Sequence, residues 1–232
     1  ALNGVDLHLD DGDFVTIIGG NGAGKSTTLN AIAGVWPVDN GSITLDGINV
    51  TGIPEFKRAK YLGRVFQDPM TGTAATMEIQ ENLALAARRG KGRGLCWGIN
   101  KAEKEKYREL LKMLDLGLED RMEAKVGLLS GGQRQALTLL MATLQKPKLL
   151  LLDEHTAALD PKTAQKVLEI SDRIIKENNL TAMMVTHNMK DAIAHGNRLI
   201  MMHEGKIVLN IAGEEKKKLT VEDLLRKFEV VA

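Results

Sequence analysis

Gly19-Gly20-Asn21-Gly22-Ala23-Gly24-Lys25-Ser26-Thr27 is the stretch whose reading decides the fold. The apolar run Phe14 to Ile18 precedes it, and a helical pattern from about Lys25 to Ala33 follows. A strand that feeds a glycine-rich loop opening a helix is the context a phosphate-binding loop requires. The glycines at 19, 22 and 24 let the backbone bend so that successive amide hydrogens face one anion, and the positive helix end adds to that field. Lys25 brings a full charge for the β and γ phosphates, and Ser26 a hydroxyl for Mg²⁺. Asn21, Ala23 and Thr27 belong to the same nucleotide site. This loop says "nucleotide phosphate" and little about what the protein does.

Downstream, Leu149 to Leu152 is a continuous apolar run of the kind buried on both faces of a parallel sheet. It ends in Asp153 and Glu154, where the ligand crevice of an open α/β sheet lies. Neighbours on a strand point to opposite sides, so the two carboxylates have different tasks. Asp153 is placed to order Mg²⁺ and its waters, and Glu154 to polarise the water that attacks the γ phosphate. Between loop and strand, Leu129-Ser130-Gly131-Gly132-Gln133 precedes a helix from Arg134 to Leu144. That is a second amide-rich helix N-terminus, hence a second anion site. Gln67 follows the strand Leu62 to Phe66 and precedes Asp68-Pro69; alone it reads as a loop residue. His187, after Met183-Met184-Val185-Thr186, alone reads as a satisfied histidine at a strand end.

The remaining features bound the function. The chain has 232 residues, 44% of them hydrophobic, enough for one sizeable core with a satellite lobe. Net charge is +1 and aromatics make up 3%, so composition shows no basic face with stacking rings, and no nucleic-acid partner is expected. Cys96 is the only cysteine, which excludes an internal disulfide and a multi-cysteine metal site. No apolar run approaches the roughly 18 to 20 residues of a membrane span. Val5 to Leu9 alternates like a strand, and Ala1 is not an initiator Met, so part of the native N-terminus is expected upstream. Gly41 to Leu45, Thr181 to Val185, Arg198 to His203 and Lys206 to Leu209 read as further strands, the last two pairing across Glu204-Gly205. Glu78 to Arg89 and Lys101 to Met113 read as helices joined by the basic loop Gly90 to Gly94, Pro161 opens a long helix to about Glu177, and Val221 to Phe228 is a terminal amphipathic helix. Glu214 to Lys218 reads as a solvated charged linker. His8, His195 and His203 stand isolated, without a ligand cluster, and there is no internal repeat.

In this order, the glycine loop, Gln67, the 129–133 segment, the 149–154 segment and His187 resemble the ATP-binding subunit of an ABC (ATP-binding cassette) transporter, over essentially the whole chain. The resemblance implies an α/β fold: a P-loop NTPase core with a RecA-like mixed sheet, an N-terminal antiparallel β subdomain and an inserted α-helical subdomain. Residues 1–232 would form a single ABC ATPase domain, with 1–75 and 146–210 as the core and β subdomain, 76–145 as the helical subdomain and 211–232 as a C-terminal extension. ATP and Mg²⁺ are the implied cofactors, and hydrolysis to ADP and phosphate the implied reaction. Glu154, His187 and Gln67 are its catalytic set, His187 toward the γ phosphate and Gln67 toward Mg²⁺ or the attacking water. Ser26, Gln67 and Asp153 would serve Mg²⁺. In a head-to-tail homodimer, Ser130, Gly131, Gly132 and Gln133 would close on the ATP held by Lys25 of the other copy, with Asp160 in the loop that crosses the seam.

Implied partners are transmembrane permease subunits and an extracytoplasmic solute-binding protein, with the chain at the cytoplasmic face of the membrane. Import is favoured because Lys125-Val126-Gly127-Leu128 stands where many exporters carry an acidic segment, and because no membrane domain is fused. Export or lipid-trafficking cassettes and soluble non-transport ATPases of the same family are the alternatives, the latter usually with a long coiled-coil insertion or tandem cassettes. Three departures stand out. His155 replaces the usual Pro after the glutamate and reads as a loop substitution without a catalytic role. No residue can be assigned to the adenine-stacking platform, which lies upstream of the first strand. The helix 136–142 is more apolar than usual; with Asp-Glu-His-Thr it resembles a bacterial importer subgroup associated with amino-acid-type binding proteins.

Overall fold

The computed structural model of this chain describes residues 2–92 and 98–231. In chain order the elements are β1 (Phe14–Gly19), α1 (Lys25–Ala33), β2 (Thr44–Leu45), β3 (Ile48–Asn49), α2 (Glu55–Arg58), β4 (Leu62–Val65), α3 (Ile79–Ala87), α4 (Lys101–Lys112), α5 (Gly131–Thr143), β5 (Leu149–Asp153), α6 (Pro161–Glu177), β6 (Ala182–Val185), α7 (Met189–Ala194), β7 (Arg198–His203), β8 (Lys206–Ala212), α8 (Gly213–Lys217) and α9 (Val221–Val231). Six strands form one mixed sheet in the order β4-β5-β6-β1-β7-β8. All neighbours are parallel except the β7–β8 hairpin.

The register places the site. Asp153 pairs with Val185, and Val185 pairs with Ile17, so β5, β6 and β1 end at one level. The loops that carry Glu154, His187 and the glycines therefore leave the same edge of the sheet. Val65 pairs with Leu152, which brings Gln67 out at that edge too. Leu150 and Leu152 pack into the core shared with α5 and α6, while Leu149 and Leu151 pack with β1 and α1 on the other face. Burial on both faces explains the unbroken apolar run, each fully buried leucine contributing about 2 kcal/mol.

The helices start where their capping chemistry says. Asn100 and Glu103 cap α4 reciprocally, as Ser130 and Gln133 cap α5; Asp160 caps α6 ahead of Pro161. Reciprocal caps satisfy two of the orphan amides at a helix start. Arg58, buried, donates to the Ala31 and Ile32 carbonyls at 2.7 and 2.9 Å and so closes the open end of the phosphate-loop helix.

Four expectations need correction. Val5 to Leu9 lies outside the sheet: its apolar residues pack on the core, and the Arg198 guanidinium donates to the His8 carbonyl at 2.6 Å. Period-2 alternation reports a buried face, not a hydrogen-bonded neighbour. The antiparallel ribbon is reduced to β2 and β3, two residues each, where a strand over Gly41 to Leu45 was expected. β8 continues past Leu209 to Ala212. The supposed linker at Glu214 to Lys218 is largely a short helix whose Lys216 is buried. Of the basic loop at 90–94, Arg93 and Gly94 lie outside the described residues, as does Cys96.

Candidate active site

The phosphate loop is built around Lys25. Gly24 caps α1 at φ 100° and Gly22 sits at φ 79°, left-handed angles open to glycine at little steric cost. A side chain at Gly24 would lie 3.2 Å from the Gly205 Cα, and one at Gly19 would lie 2.4 Å from the Met202 carbonyl oxygen. The β7–β8 turn braces the loop further, the Gly205 amide donating to the Ala23 carbonyl at 3.0 Å. The buried Lys25 ammonium donates to the carbonyls of Gly19 and Gly20 at 2.8 and 3.0 Å. An ammonium has three hydrogens, so one remains for an anion. Burial lowers the Lys25 pKa, against the pull of Glu154 and Asp153. Gly20, Asn21, Gly22 and Ser26 are exposed at the mouth of the loop, with Thr27 half-buried beside them. The free donor, the amides and the open mouth fit a polyphosphate.

Asp153 and Glu154 diverge. Asp153 turns to β4, where the Arg64 guanidinium donates to its carboxylate at 3.3 Å and to the Asn30 side-chain oxygen at 2.7 Å. Burial raises the Asp153 pKa, and Arg64 opposes the rise. The same guanidinium lies 4.6 Å above the Phe66 ring. Glu154 turns to β6: its Oε1 is 2.7 Å from His187 Nε2, with the glutamate side chain 14% exposed and the histidine 47%. Its backbone is at φ 47°, and its amide donates to the Val185 carbonyl at 3.1 Å. Gln67 and Asp153 line one open depression of about 430 Å³ with Phe66, Asp68, Thr71 and Ala158. Ser26 stands at the start of α1, so the three groups expected to serve Mg²⁺ are two oxygen donors around one depression and a hydroxyl at the adjoining helix end. Hard oxygen donors of this kind fit Mg²⁺.

The segment expected as a second anion site lies elsewhere in the chain. Ser130 Oγ accepts from the Gln133 amide at 3.3 Å, and the Gln133 side-chain oxygen accepts from the Ser130 amide at 3.1 Å. The Gly132 Cα approaches α6 so closely that an added Cβ would be 2.2 Å from Thr163 Cγ2, while one on Gly131 would meet Leu159 at 3.2 Å. Ser130, Gly131 and Gly132 thus lie against the start of α6, where Asp160 accepts from the Thr163 amide at 3.1 Å. That bonding holds the Asp160 pKa below the usual carboxylate value. Among the described residues, no hydrogen bond or ion pair joins this group to the phosphate loop.

Sequence reading missed several supports. Arg134 donates to the carbonyls of Gly127 and Leu129 at 3.1 and 3.2 Å and so shapes the entry to Ser130. Gln135, buried, donates to the Phe66 carbonyl at 3.0 Å, joining α5 to the segment that leads from β4 to Gln67. His155 is buried, its Nε2 3.0 Å from Ser171 Oγ. Burial, then the proximity of His195, lowers its pKa to about 4. His195, expected to be isolated, has its Nδ1 2.6 Å from Asp172 Oδ2. Lys216 donates to the carbonyls of His195 and Gly196, and burial lowers its pKa to about 8. Only the arginine and glutamine after Ser130-Gly131-Gly132 offered a local signal, through their place in a capped helix.

Fold and site together define a phosphate-loop ATPase. The ABC transporter family model matches residues 2–157. The tyrosine transport ATP-binding protein of Clostridioides difficile is 48% identical over 228 residues, covering 97% of this chain and 89% of that protein. The methionine import ATP-binding protein of Bartonella henselae is 35% identical over 212 residues, and there the match spans 90% of this chain but 58% of the relative. A dimeric ATP-binding cassette in a post-hydrolysis state with ADP and phosphate superposes with a TM-score of 0.76 at 30% identity, covering 91% of this chain and 90% of that one. The ADP conformation of another transporter cassette reaches 0.81 at 26% identity, covering 100% and 93%. The chain belongs to the ABC transporter family and is one of its ATP-hydrolysing cassettes. Among the described residues, no helix is long and apolar enough to cross a membrane.

Proposed function

We propose that this chain energises import of an amino-acid-type solute. It works as a head-to-tail homodimer under separate permease subunits, at the cytoplasmic face, with an extracytoplasmic binding protein delivering the solute. The observation that carries the catalytic part is the Glu154–His187 contact of 2.7 Å at the level of the phosphate loop. The solute class is supported by the similarity to a tyrosine transport protein. The sharing of each site between two copies is supported by the separation of Ser130 from Lys25 within one chain and by similarity to a dimeric cassette.

Lys25 and the amides of Gly22, Gly24 and Lys25 hold the β and γ phosphates of ATP. Glu154 accepts a proton from the attacking water as a new bond forms to the γ phosphorus and the bond to the bridging oxygen breaks, leaving ADP and phosphate. His187 fixes the Glu154 carboxylate, its outer face open toward the γ phosphate. Asp153, Ser26 and Gln67 would hold Mg²⁺, which when bound neutralises charge on the phosphate oxygens. Ser130, Gly131, Gly132 and Gln133 of a second copy close over the nucleotide, and Asp160 lines the seam.

Glu154→Gln tests this reading. ATP binding should persist while turnover falls at least about a hundredfold, the usual contribution of a positioned base. Near wild-type phosphate release would remove Glu154 from that role. For the solute, vesicles holding the chain with its permease and binding protein should accumulate labelled tyrosine in an ATP-dependent way; accumulation of spermidine instead would overturn the amino-acid assignment.

A further inference from the structure

His155 is 2% exposed, although it stands one residue beyond the catalytic glutamate. Its Nε2 is 3.0 Å from Ser171 Oγ, and that hydroxyl donates to the Val167 carbonyl at 2.9 Å. A serine hydroxyl has one hydrogen. With that hydrogen spent inside α6, the Ser171 oxygen is the acceptor, and the neutral His155 ring must carry its hydrogen on Nε2. The next residue of α6 reaches another way: Asp172 Oδ2 is 2.6 Å from His195 Nδ1. His195 closes α7, the helix that begins directly after His187-Asn188. Thr16 Oγ1, 2.8 Å from the Ala192 carbonyl, ties the same helix to β1. Two consecutive residues of α6 thus bond the residue after Glu154 and the residue that closes the helix after His187.

Glu154 needs such an anchor. Its φ of 47° is a left-handed angle that a glutamate keeps only when its surroundings hold it there. We propose that His155 is a positioning residue for hydrolysis: its ring, hydrogen-bonded to Ser171 of α6, keeps Glu154 in the turn that presents its carboxylate to His187. The proposal rests on Glu154 acting as the base. His155 touches no substrate and acts only through Glu154, while Asp172 and His195 steady the opposite arm.

Steady-state ATPase kinetics, nucleotide titration and melting curves of His155→Leu, Ser171→Ala and His155→Gln test it. The leucine fills the space without the hydrogen bond, the alanine removes the acceptor, and the glutamine amide can donate from the place of Nε2. The first two should lower kcat about tenfold, with KM for ATP and nucleotide affinity within twofold of wild type. His155→Gln should stay within threefold in all three quantities. In single-turnover reactions, adding His155→Leu to Glu154→Gln should slow hydrolysis no further, because residues acting through one group are not additive. An unchanged kcat in Ser171→Ala, a fall matched by lost nucleotide affinity, or a full additive loss in the double variant would each overturn the proposal while leaving Glu154 as base. Rapid turnover by Glu154→Gln would instead remove the base itself and, with it, the route through His155. If His155→Leu does not fold, Ser171→Ala and His155→Gln decide alone.

Discussion

His155→Gln should abolish an acid-sensitive part of the folding stability. The imidazole has an ordinary pKa of 6.5, and burial lowers it to about 4 in the folded chain. His195 adds to the depression and Asp172 opposes it; Ser171 is the hydrogen-bond partner. Below about pH 6.5 the unfolded chain takes up a proton that the folded chain refuses until about pH 4, so the unfolded state binds more protons. Stability present above pH 6.5 is therefore lost as pH falls toward 4. At ~1.4 kcal/mol per pKa unit, the depression corresponds to about 3 kcal/mol at most. Glutamine keeps an amide donor near Nε2 but does not titrate. Urea unfolding of both proteins at pH 7, 6, 5 and 4 isolates the effect, since carboxylates and the other histidines contribute equally to each curve. The wild type should lose about 3 kcal/mol more than the variant across that range. Parallel curves would refute the placement of a neutral, buried histidine behind Glu154.

Lys25→Ala should abolish tight nucleotide binding, read by titration, because the phosphates lose their charged donor and the Gly19 and Gly20 carbonyls lose their shared ammonium. Gly19→Ala should weaken nucleotide binding at least about tenfold, since a Cβ 2.4 Å from the Met202 carbonyl oxygen must push the loop off β7; unchanged affinity would show that the loop tolerates the shift. A Ser130→Arg chain mixed with a Lys25→Ala chain should regain part of the ATPase activity that each lacks alone, one intact site forming per mixed dimer. Absence of any regained activity, with dimers seen by sedimentation, would count against sites shared between two copies.

The glycine loop, the helix it opens and the acid pair were legible because their chemistry is local. Helix α1 starts and stops at Lys25 and Ala33, as the pattern indicates, and α6 runs from Pro161 to Glu177. Caps, a proline at the first turn and glycine angles are decided by near neighbours in the chain. Asp153 and Glu154 point apart, one toward Arg64 and one toward His187, although Glu154 lies beyond the end of β5 at φ 47°, so a turn and not strand alternation separates them. Pairing was harder to read: the alternation of Val5 to Leu9 marks a face against the core but names no partner, and no ladder forms there.

What the sequence by itself determined is local: a glycine-rich loop that opens a helix, two carboxylates at the end of a buried strand, and a second capped helix N-terminus apart from the first. Only the tertiary structure decided which groups meet. Parallel pairing of β5 with β6 sets Asp153 level with Val185, so the segments that carry Glu154 and His187 leave the sheet side by side. Packing of α6 against the sheet buries His155 on Ser171, sends Asp172 to His195, and lets α8 sink Lys216 onto the carbonyls beyond α7. None of these partners is near in sequence, and burial of a polar group is a property of the whole packed core rather than of its neighbours. A histidine or lysine that looks like surface in a string of letters therefore becomes structural once the core closes over it and supplies its hydrogen-bond partner.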